Sequence, residues 1–451
     1  MGAKRHVARR ALVVGFARTG RSVAVALARR GCAVTAVDDA GGAEMAAVAE
    51  VLGVAFVAAP DEGTLAGLVA EAEQVVVSPG VPPSHPIYRL ATAPKLVAEI
   101  ELAFSLTELP VVAVTGTNGK TTVTELVTEM LVASGRRALA AGNIGLPLIE
   151  AIDDERAELL VAEVSSFQLK YTATFAPTVA TYLNLAEDHL DWHPTMEDYA
   201  ASKARIFACQ GADDVAVVNA EDPAVLAAAA GARSRRVTFG AGGDYEESAG
   251  FLVGPGGERL LPAAALPRRL PHDVANALAA LATARAAGAS PEGCRAALEG
   301  WHHPPHRVEF VAERGGVAYY DDSKATTPSA VVAALAGFEH VVLIAGGKNK
   351  GLDLGVIPRA LGARRDSTLR AVVAIGEAAG EVAAAFSGLP LRRAATMAEA
   401  IGAAGELARP GDVVLLSPGC TSFDWYASYA ARGEDFQNQV RALAVASGGG
   451  R

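Results

Sequence analysis

Short apolar runs rich in β-branched residues alternate, along almost the whole chain, with stretches whose apolar positions recur at helical spacing. ALVVGF opens the series, ARTGRSVAVALARRG follows with helical spacing and a closing Gly31, and CAVTAVDD ends on Asp38 and Asp39. This is a β-α-β unit, the start of a doubly wound sheet. VAFV and VVVSPG continue it, so residues 1–98 are expected to form a Rossmann-like domain.

A second series starts near VAEIELAFSL. VVAVTG, the helix TTVTELVTEMLVASG, LLVAEVSS, TVATYLNL and DDVAVVNAED follow, with glycine or polar residues at the carboxyl ends of the strands, where open α/β sheets bind ligands. The helix HDVANALAALATARAAG and the joint GWHHPPHR close this part, which predicts a central mononucleotide-binding domain of the P-loop NTPase type over 99–303. Then VAYYDDS, HVVLIAGG, LRAVVAIG and DVVLLSPG alternate with helical stretches such as TMAEAIGAAGELA, predicting a second Rossmann-like domain over 304–451. The expected fold class is therefore α/β with three domains. Ligands should bind where loops of these domains converge.

Composition supports a folded enzyme: 451 residues, 51% apolar and 20% charged. A net charge of −10 argues against general nucleic-acid or anionic-membrane binding, so any anion must be held locally. Cys32, Cys209, Cys294 and Cys420 stand apart with no CxxC spacing, which indicates neither a zinc ribbon nor a disulfide framework and fits a reducing cytoplasm. The basic start MGAKRHVARR is followed by an apolar run too short for a signal sequence, broken by Arg18 and Arg21. The alanine-rich helices read as buried helices, not membrane spans.

Two loops invite a nucleotide. GFARTG has the outline G-x-A-x-x-G, with Ala17 where a dinucleotide fingerprint needs a glycine so that the backbone can approach a pyrophosphate. A nucleotide-like ligand other than NAD fits it better, with Asp38 placed for ribose hydroxyls and SPGVPPSHP at the same strand edge. VTGTNGKTT (114–122) nearly matches the phosphate-binding pattern G-x-x-x-x-G-K-[ST], but Val114 stands at the first glycine. Its strand-turn-helix context still places Gly116, Gly119 and Lys120 at a helix N-terminus, where free N–H groups favour phosphate. Thr121 supplies a hydroxyl for magnesium.

Magnesium needs hard oxygen ligands. Glu163 ends the strand of AEVSSFQ, and NLAEDHLDWH offers Asp188, His189 and Asp191 after the next strand. Taken singly, Glu163 reads as a helix-capping acid and His189 as a loop histidine; a phosphate loop on the same sheet edge favours the metal reading. His302, His303 and His306 sit too close together in a proline-rich loop to converge on one ion. Lys203 lies on an apparent helix between Tyr199 and Phe207, and its default reading is a surface lysine. In the last domain YYDDSKATTP and SPGCTSFDWYASYAARG carry hydroxyls, and Lys324 and Lys350 add positive charge for acidic ligands.

With GNIGLP (142–147), AEVSSFQL, YAASKARIF, HDVANALAAL and PHRVEF added in order, the chain resembles the Mur ligases of peptidoglycan synthesis over essentially its whole length. DDSKATTP and SPGCTSFDWY are similar to the members that add D-glutamate. The resemblance implies a cytoplasmic, monomeric enzyme in which ATP phosphorylates the carboxylate of UDP-N-acetylmuramoyl-L-alanine and the amine of D-glutamate then displaces phosphate. It implies ATP binding by Gly116, Thr117, Asn118, Gly119, Lys120, Thr121 and Thr122, with Asn276, His306, Arg307, Asp322 and Lys324. Two magnesium ions are implied on Thr121, Glu163, His189 and a carbamylated Lys203, with Lys120, His189 and Lys203 catalytic.

The same resemblance gives the uridine nucleotide to Arg18, Thr19, Asp38, Ser78, Pro79 and Gly80, and the muramoyl end to Asn143 and Ser165. Thr326, Lys350, Ser422 and Tyr429 are implied for D-glutamate. Departures from the family pattern are Thr327 and Asp273, each where asparagine is frequent, and Tyr429, where an aromatic without the hydroxyl also occurs. The rivals are another Mur-type or folylpolyglutamate-type ligase, a nucleotide-dependent switch that makes no bond, and an NAD oxidoreductase.

Overall fold

A computed structural model describes residues 7–190 and 192–446. The first sheet holds β1 (Arg10–Val14), β2 (Ala33–Asp38), β3 (Ala55–Ala58), β4 (Gln74–Val77) and β5 (Leu96–Ala98), all parallel, in the order β3-β2-β1-β4-β5. The second holds β6 (Val111–Thr115), β7 (Ala138–Gly142), β8 (Leu159–Glu163), β9 (Val179–Tyr182), β10 (Val215–Asn219) and β11 (Arg235–Phe239), parallel in the order β11-β10-β9-β6-β8-β7. Both faces of a parallel sheet are covered, which is why VVAVT and LLVAE are apolar almost throughout and buried at every position.

A small antiparallel sheet follows, β12 (Glu246–Ser248), β13 (Phe251–Gly254) and β14 (Glu258–Pro262). The polar EES of β12 carries no apolar run, so the hydrophobic pattern did not reveal it. The last sheet holds β15 (Glu309–Arg314), β16 (Val317–Asp321), β17 (Val341–Gly346), β18 (Leu369–Ile375), β19 (Leu391–Ala394) and β20 (Val413–Leu416), in the order β15-β16-β20-β17-β18-β19. Only β15 in it runs antiparallel. Along β17, Val341, Leu343 and Ala345 face one apolar cluster while Val342 and Ile344 face another, so this sheet too is covered on both sides.

Packing groups the chain into two compact units. The described residues through Leu185, with Trp192–Leu266 and Ala275–Gly300, form one; residues 186–190, Pro267–Val274 and the described residues from Trp301 onward form the other. Within the first unit a single apolar cluster runs from Ala11 and Leu27 of the first sheet layer to Ala113, Leu160 and Ala180 of the second. Ser22 bonds Glu150, and Arg30 pairs with Asp153 at 2.5 Å, across the same junction.

Parallel register brings loops to shared edges. β6 lies between β8 and β9, so the turn after Thr115 stands beside Glu163 at the end of β8. β1 lies between β2 and β4, which gathers Gly15, Asp38 and Ser78. β20 lies between β16 and β17, which gathers the loops after Asp321, Gly346 and Leu416.

Candidate active site

Gly119 caps the helix Lys120–Ala133 in a left-handed conformation, φ 84° and ψ −13°. Only glycine adopts this readily, and a Cβ there would stand 2.5 Å from Asn276 Oδ1, so Asn276 packs directly against the loop. Asn184 clasps the loop from the other side: its carbonyl accepts from Thr117 N (3.0 Å), its Oδ1 from Asn118 N (2.8 Å), and its Nδ2 donates to Asn118 O (3.1 Å). Lys120 Nζ donates to the carbonyls of Gly116 (3.0 Å) and Thr117 (2.9 Å). The result is a rigid backbone cradle at the positive end of a 14-residue helix, suited to phosphate.

Thr121 Oγ1 donates to Glu163 Oε2 at 2.8 Å, and Asn143 Nδ2 donates to Glu163 Oε1 at 2.8 Å. A hydroxyl and a carboxylate thus meet beside the cradle, the hard-oxygen pairing a divalent cation takes. Glu163 does not cap the helix after it; Ser165 does, through a capping box with Gln168.

The reading of Lys203 as a surface residue is overturned. It is 1% exposed, its Nζ donates to Gly116 O at 2.8 Å, and the amine lies 4.6 Å from the Tyr199 ring centre. The helix Met196–Ala204 puts Tyr199 and Lys203 on one face by their four-residue spacing, and Tyr199 OH meets Thr117 Oγ1 at 3.2 Å. What orients that helix is His193, a residue the sequence pattern did not single out. Fully buried, it bonds Asp198 through Nδ1 (2.7 Å) and Ser166 through Nε2 (2.9 Å). Burial pushes its pKa down.

Asp188 and His189 fall in the other unit. There His189 N donates to Asp188 Oδ1 at 2.8 Å, and its ring Nε2 lies 3.4 Å from Asp188 Oδ2. Asp191 lies outside the described residues.

At the carboxyl edge of the first sheet a cavity of about 550 Å³ opens. Arg18, Thr19, Asp38, Ser78, Pro79 and Gly80, expected for the uridine nucleotide, line it together, and so does Asn143, expected at the muramoyl end. Ser165 is absent from its wall and Gln168, its capping partner, is present. Asp38 is committed to the loop: its Oδ2 accepts from Phe16 N (2.6 Å) and its Oδ1 from Ala40 N (2.9 Å). Below the GNIGLP loop lies Glu99, 1% exposed, whose Oε1 accepts from Ile149 N at 2.6 Å. Burial pushes its carboxyl up to about 7, against the opposing pull of the Ile149 and Leu148 N–H groups.

The last sheet, which holds β15 to β20 and is the third of the α/β sheets, presents a separate polar cluster. Asp322 accepts from Ser417 Oγ (2.7 Å) and Val308 N (3.3 Å), and burial pushes its carboxyl up to about 7. His306 Nδ1 meets Asp321 Oδ2 at 2.6 Å. The ligand atoms of His306, Glu309 and Asp321 lie within 4.8 Å of one another, but Gln437 Nε2 donates to both carboxylates (3.0 and 2.8 Å), so an amide already satisfies them. His302 and His303 are not part of that group. Asp273 is gripped by Arg268 through two bonds of 2.7 Å, and Arg268 also donates to the carbonyls of Arg307 and Val308, which gives this departure a local ion partner. Thr327 begins the helix Pro328–Leu335 and its hydroxyl lies 3.2 Å from that of Ser329.

Of the residues expected at D-glutamate, Tyr429 carries the Lys324 amine 3.9 Å above its ring, Ser422 is buried, Thr326 half-buried and Lys350 exposed. Lys348 and Thr421 pair as an antiparallel bridge, and Gly419 N donates to Ala325 O at 2.9 Å, so the three loops are joined. Arg432, missed in the sequence, lies behind them.

Comparison with known proteins agrees with this geometry. Residues 114–284 match the Mur ligase middle domain and residues 306–420 the Mur ligase glutamate ligase domain. The UDP-N-acetylmuramoylalanine–D-glutamate ligase of Desulfosudis oleivorans is 44% identical over 456 residues, 96% of each chain. The protein of the same name from Frankia casuarinae is 43% identical, over 96% of this chain and 93% of its own. Among solved structures, MurF from Acinetobacter baumannii has a TM-score of 0.61 at 20% identity, over 97% of this chain and 93% of that one. UDP-N-acetylmuramate–alanine ligase MurC from Thermotoga maritima has 0.57 at 19%, over 97% and 100%; these two speak for the fold. The chain belongs to the Mur ligase family, in the branch of the UDP-N-acetylmuramoylalanine–D-glutamate ligases.

Proposed function

We propose that the chain joins D-glutamate to UDP-N-acetylmuramoyl-L-alanine at the expense of ATP, in peptidoglycan precursor synthesis. The observation that carries the reading is the convergence of Lys120, Thr121, Glu163 and buried Lys203 on one phosphate cradle, in a chain similar to such ligases over 96% of its length.

A carboxylate does not exchange its oxygen for an amine at neutral pH, because oxide is too poor a leaving group. Phosphorylation solves this. The muramoyl-alanine carboxylate attacks the γ-phosphorus and ADP leaves; the D-glutamate amine attacks the acyl carbon, inorganic phosphate leaves, and the nitrogen gives up a proton. Residues 116–122 hold the triphosphate through backbone N–H groups and the Lys120 charge.

Magnesium, when bound, neutralises charge on the transferred phosphoryl group. Thr121 and Glu163, 2.8 Å apart, suit it chemically, and His189 is assigned a second ion. Lys203 is assigned a carbamate, which converts its cation into a carboxylate-like ligand; burial against the Gly116 carbonyl supports a role other than a surface charge. The cavity of about 550 Å³ takes the uridine nucleotide, with Asn143 toward the muramoyl end. Asn276, His306, Arg307, Asp322 and Lys324 serve ATP, and Thr326, Lys350, Ser422 and Tyr429 the D-glutamate carboxylates. Among the described residues no helix is long and apolar enough to cross a membrane; action in the cytoplasm as a monomer is part of the same proposal, resting on the similarity to such ligases.

The test is phosphate release from ATP and UDP-N-acetylmuramoyl-L-alanine with a panel of D-glutamate, L-lysine, diaminopimelate and L-glutamate. Turnover with D-glutamate alone is expected. Silence with D-glutamate and turnover with another amino acid would overturn the choice of substrate.

A further inference from the structure

The last helix, Tyr429–Ala446, sends the Arg432 side chain into the carboxyl edge of the third sheet, where it is 1% exposed. Its guanidinium makes four hydrogen bonds: Nε to Ser323 Oγ (2.9 Å), Nη2 to Ser323 O (2.9 Å), and Nη1 and Nη2 to Cys420 O (3.2 Å each). Ser323 Oγ in turn donates to the backbone carbonyl of Tyr429 (2.8 Å), closing a ring from the helix to the loop and back. A Cβ added at Gly347 would stand 3.1 Å from Nη1, so the loop after β17 also backs onto the guanidinium. One cation therefore touches all three loops of this edge.

None of its three acceptor atoms, Ser323 Oγ, Ser323 O and Cys420 O, is a carboxylate. The Asp424 and Asp321 carboxylates act on it only from beyond hydrogen-bond contact and offset its burial only in part, a cost that a neutral side chain of similar volume would avoid. Ser323 immediately precedes Lys324, and Cys420 stands two residues before Ser422. The planar fork of an arginine fixes the spacing of two backbone carbonyls in a way an ammonium does not. Its charge, meanwhile, acts on whatever settles over the loops.

Resting on the amino-acid subsite proposed above, we infer that Arg432 is a positioning residue of that subsite: it sets the spacing of the loops that receive the acidic amino acid and supplies buried positive charge beneath them. It touches no substrate. Its loss should weaken amino-acid binding and leave the ATP cradle and the uridine cavity as they are.

The experiment measures KM for the amino acid, ATP and UDP-N-acetylmuramoyl-L-alanine, with kcat, in Arg432→Lys, Arg432→Gln and Ser323→Ala. The amino acid used is whichever one the substrate panel identifies, so a wrong assignment of D-glutamate does not decide this test. Arg432→Gln is expected to raise the amino-acid KM about 100-fold, the scale of a small misplacement of binding groups. Arg432→Lys, which keeps charge and loses the fork, should raise it about 10-fold. Ser323→Ala removes one acceptor and serves if the arginine variants do not fold; it should raise the same KM about 5-fold, in line with one lost hydrogen bond. KM for the other two substrates should stay within about 3-fold, the mark of a local binding loss. An unchanged amino-acid KM in the folded variants, or equal shifts in all three KM values, would reject the assignment.

Discussion

Lys203 shows how much a single side chain gains from its surroundings. Tyr199, Lys203 and Phe207 at helical spacing describe an ordinary amphipathic helix, and a lysine on one is exposed by default. Burial to 1% and a 2.8 Å bond to the phosphate loop exclude that reading, because withdrawing an amine from water is costly and a surface charge has no need of it. Lys203→Ala should lower phosphate release by at least about 100-fold, the usual loss for one charge-stabilising group. Formate or acetate at high concentration should restore part of it by standing in for the carbamate. A fully active alanine variant without additive would contradict the assigned role. At the same scale the phosphate loop was legible from GTNGKTT, since strand, glycine turn and lysine are adjacent in sequence. His193 and Arg432 were not, because each joins a nearby partner, Asp198 or Cys420, to a distant one, Ser166 27 residues away or Ser323 109 residues away.

Elements carry function here by what their ends hold. The helix Glu99–Leu106 begins with a buried carboxylate that accepts from Ile149 N, and Ile149 lies just beyond the GNIGLP loop at the wall of the cavity. Burial keeps the Glu99 carboxyl at about 7, above its ordinary value of 4.5. Between those values the folded chain binds a proton that the unfolded chain has released, so this group's contribution to stability falls as pH rises through the window. Glu99→Gln keeps an acceptor and does not titrate. Its stability relative to the parent should therefore rise between about pH 4.5 and 7, by on the order of 2 kcal/mol, allowing for partial solvent relaxation around the site. Urea midpoints across that range measure it, and parallel profiles for the two proteins would count against a raised Glu99. Several elements were invisible in the pattern for an equally local reason: β12 is polar, and β7 is alanine-rich, so neither forms a β-branched run.

For the whole molecule, periodicity correctly marks three α/β sheets, but packing joins the first two. One apolar cluster spans them, with Ser22–Glu150 and Arg30–Asp153 at the junction. Hydrogen exchange in rising denaturant should therefore show the amides of β1 and β6 losing protection together, while those of the third sheet follow their own curve. Opening of β1 well before β6 would mean that the first sheet is an independent cooperative unit.

The α/β alternation, the phosphate loop and the motifs that carry the family were readable in the sequence alone, because each is written in residues a few positions apart. So was the acidic, fold-competent composition. Which side chains are buried, and what they meet, was decided only by tertiary structure. The sheet crossovers put Glu163 beside Thr121, Lys203 beneath Gly116 and Arg432 behind Ser323 and Cys420. Hydrogen bonding acts at about 3 Å whatever the distance along the chain, so contacts closed over tens of residues leave no periodic trace in the sequence that makes them.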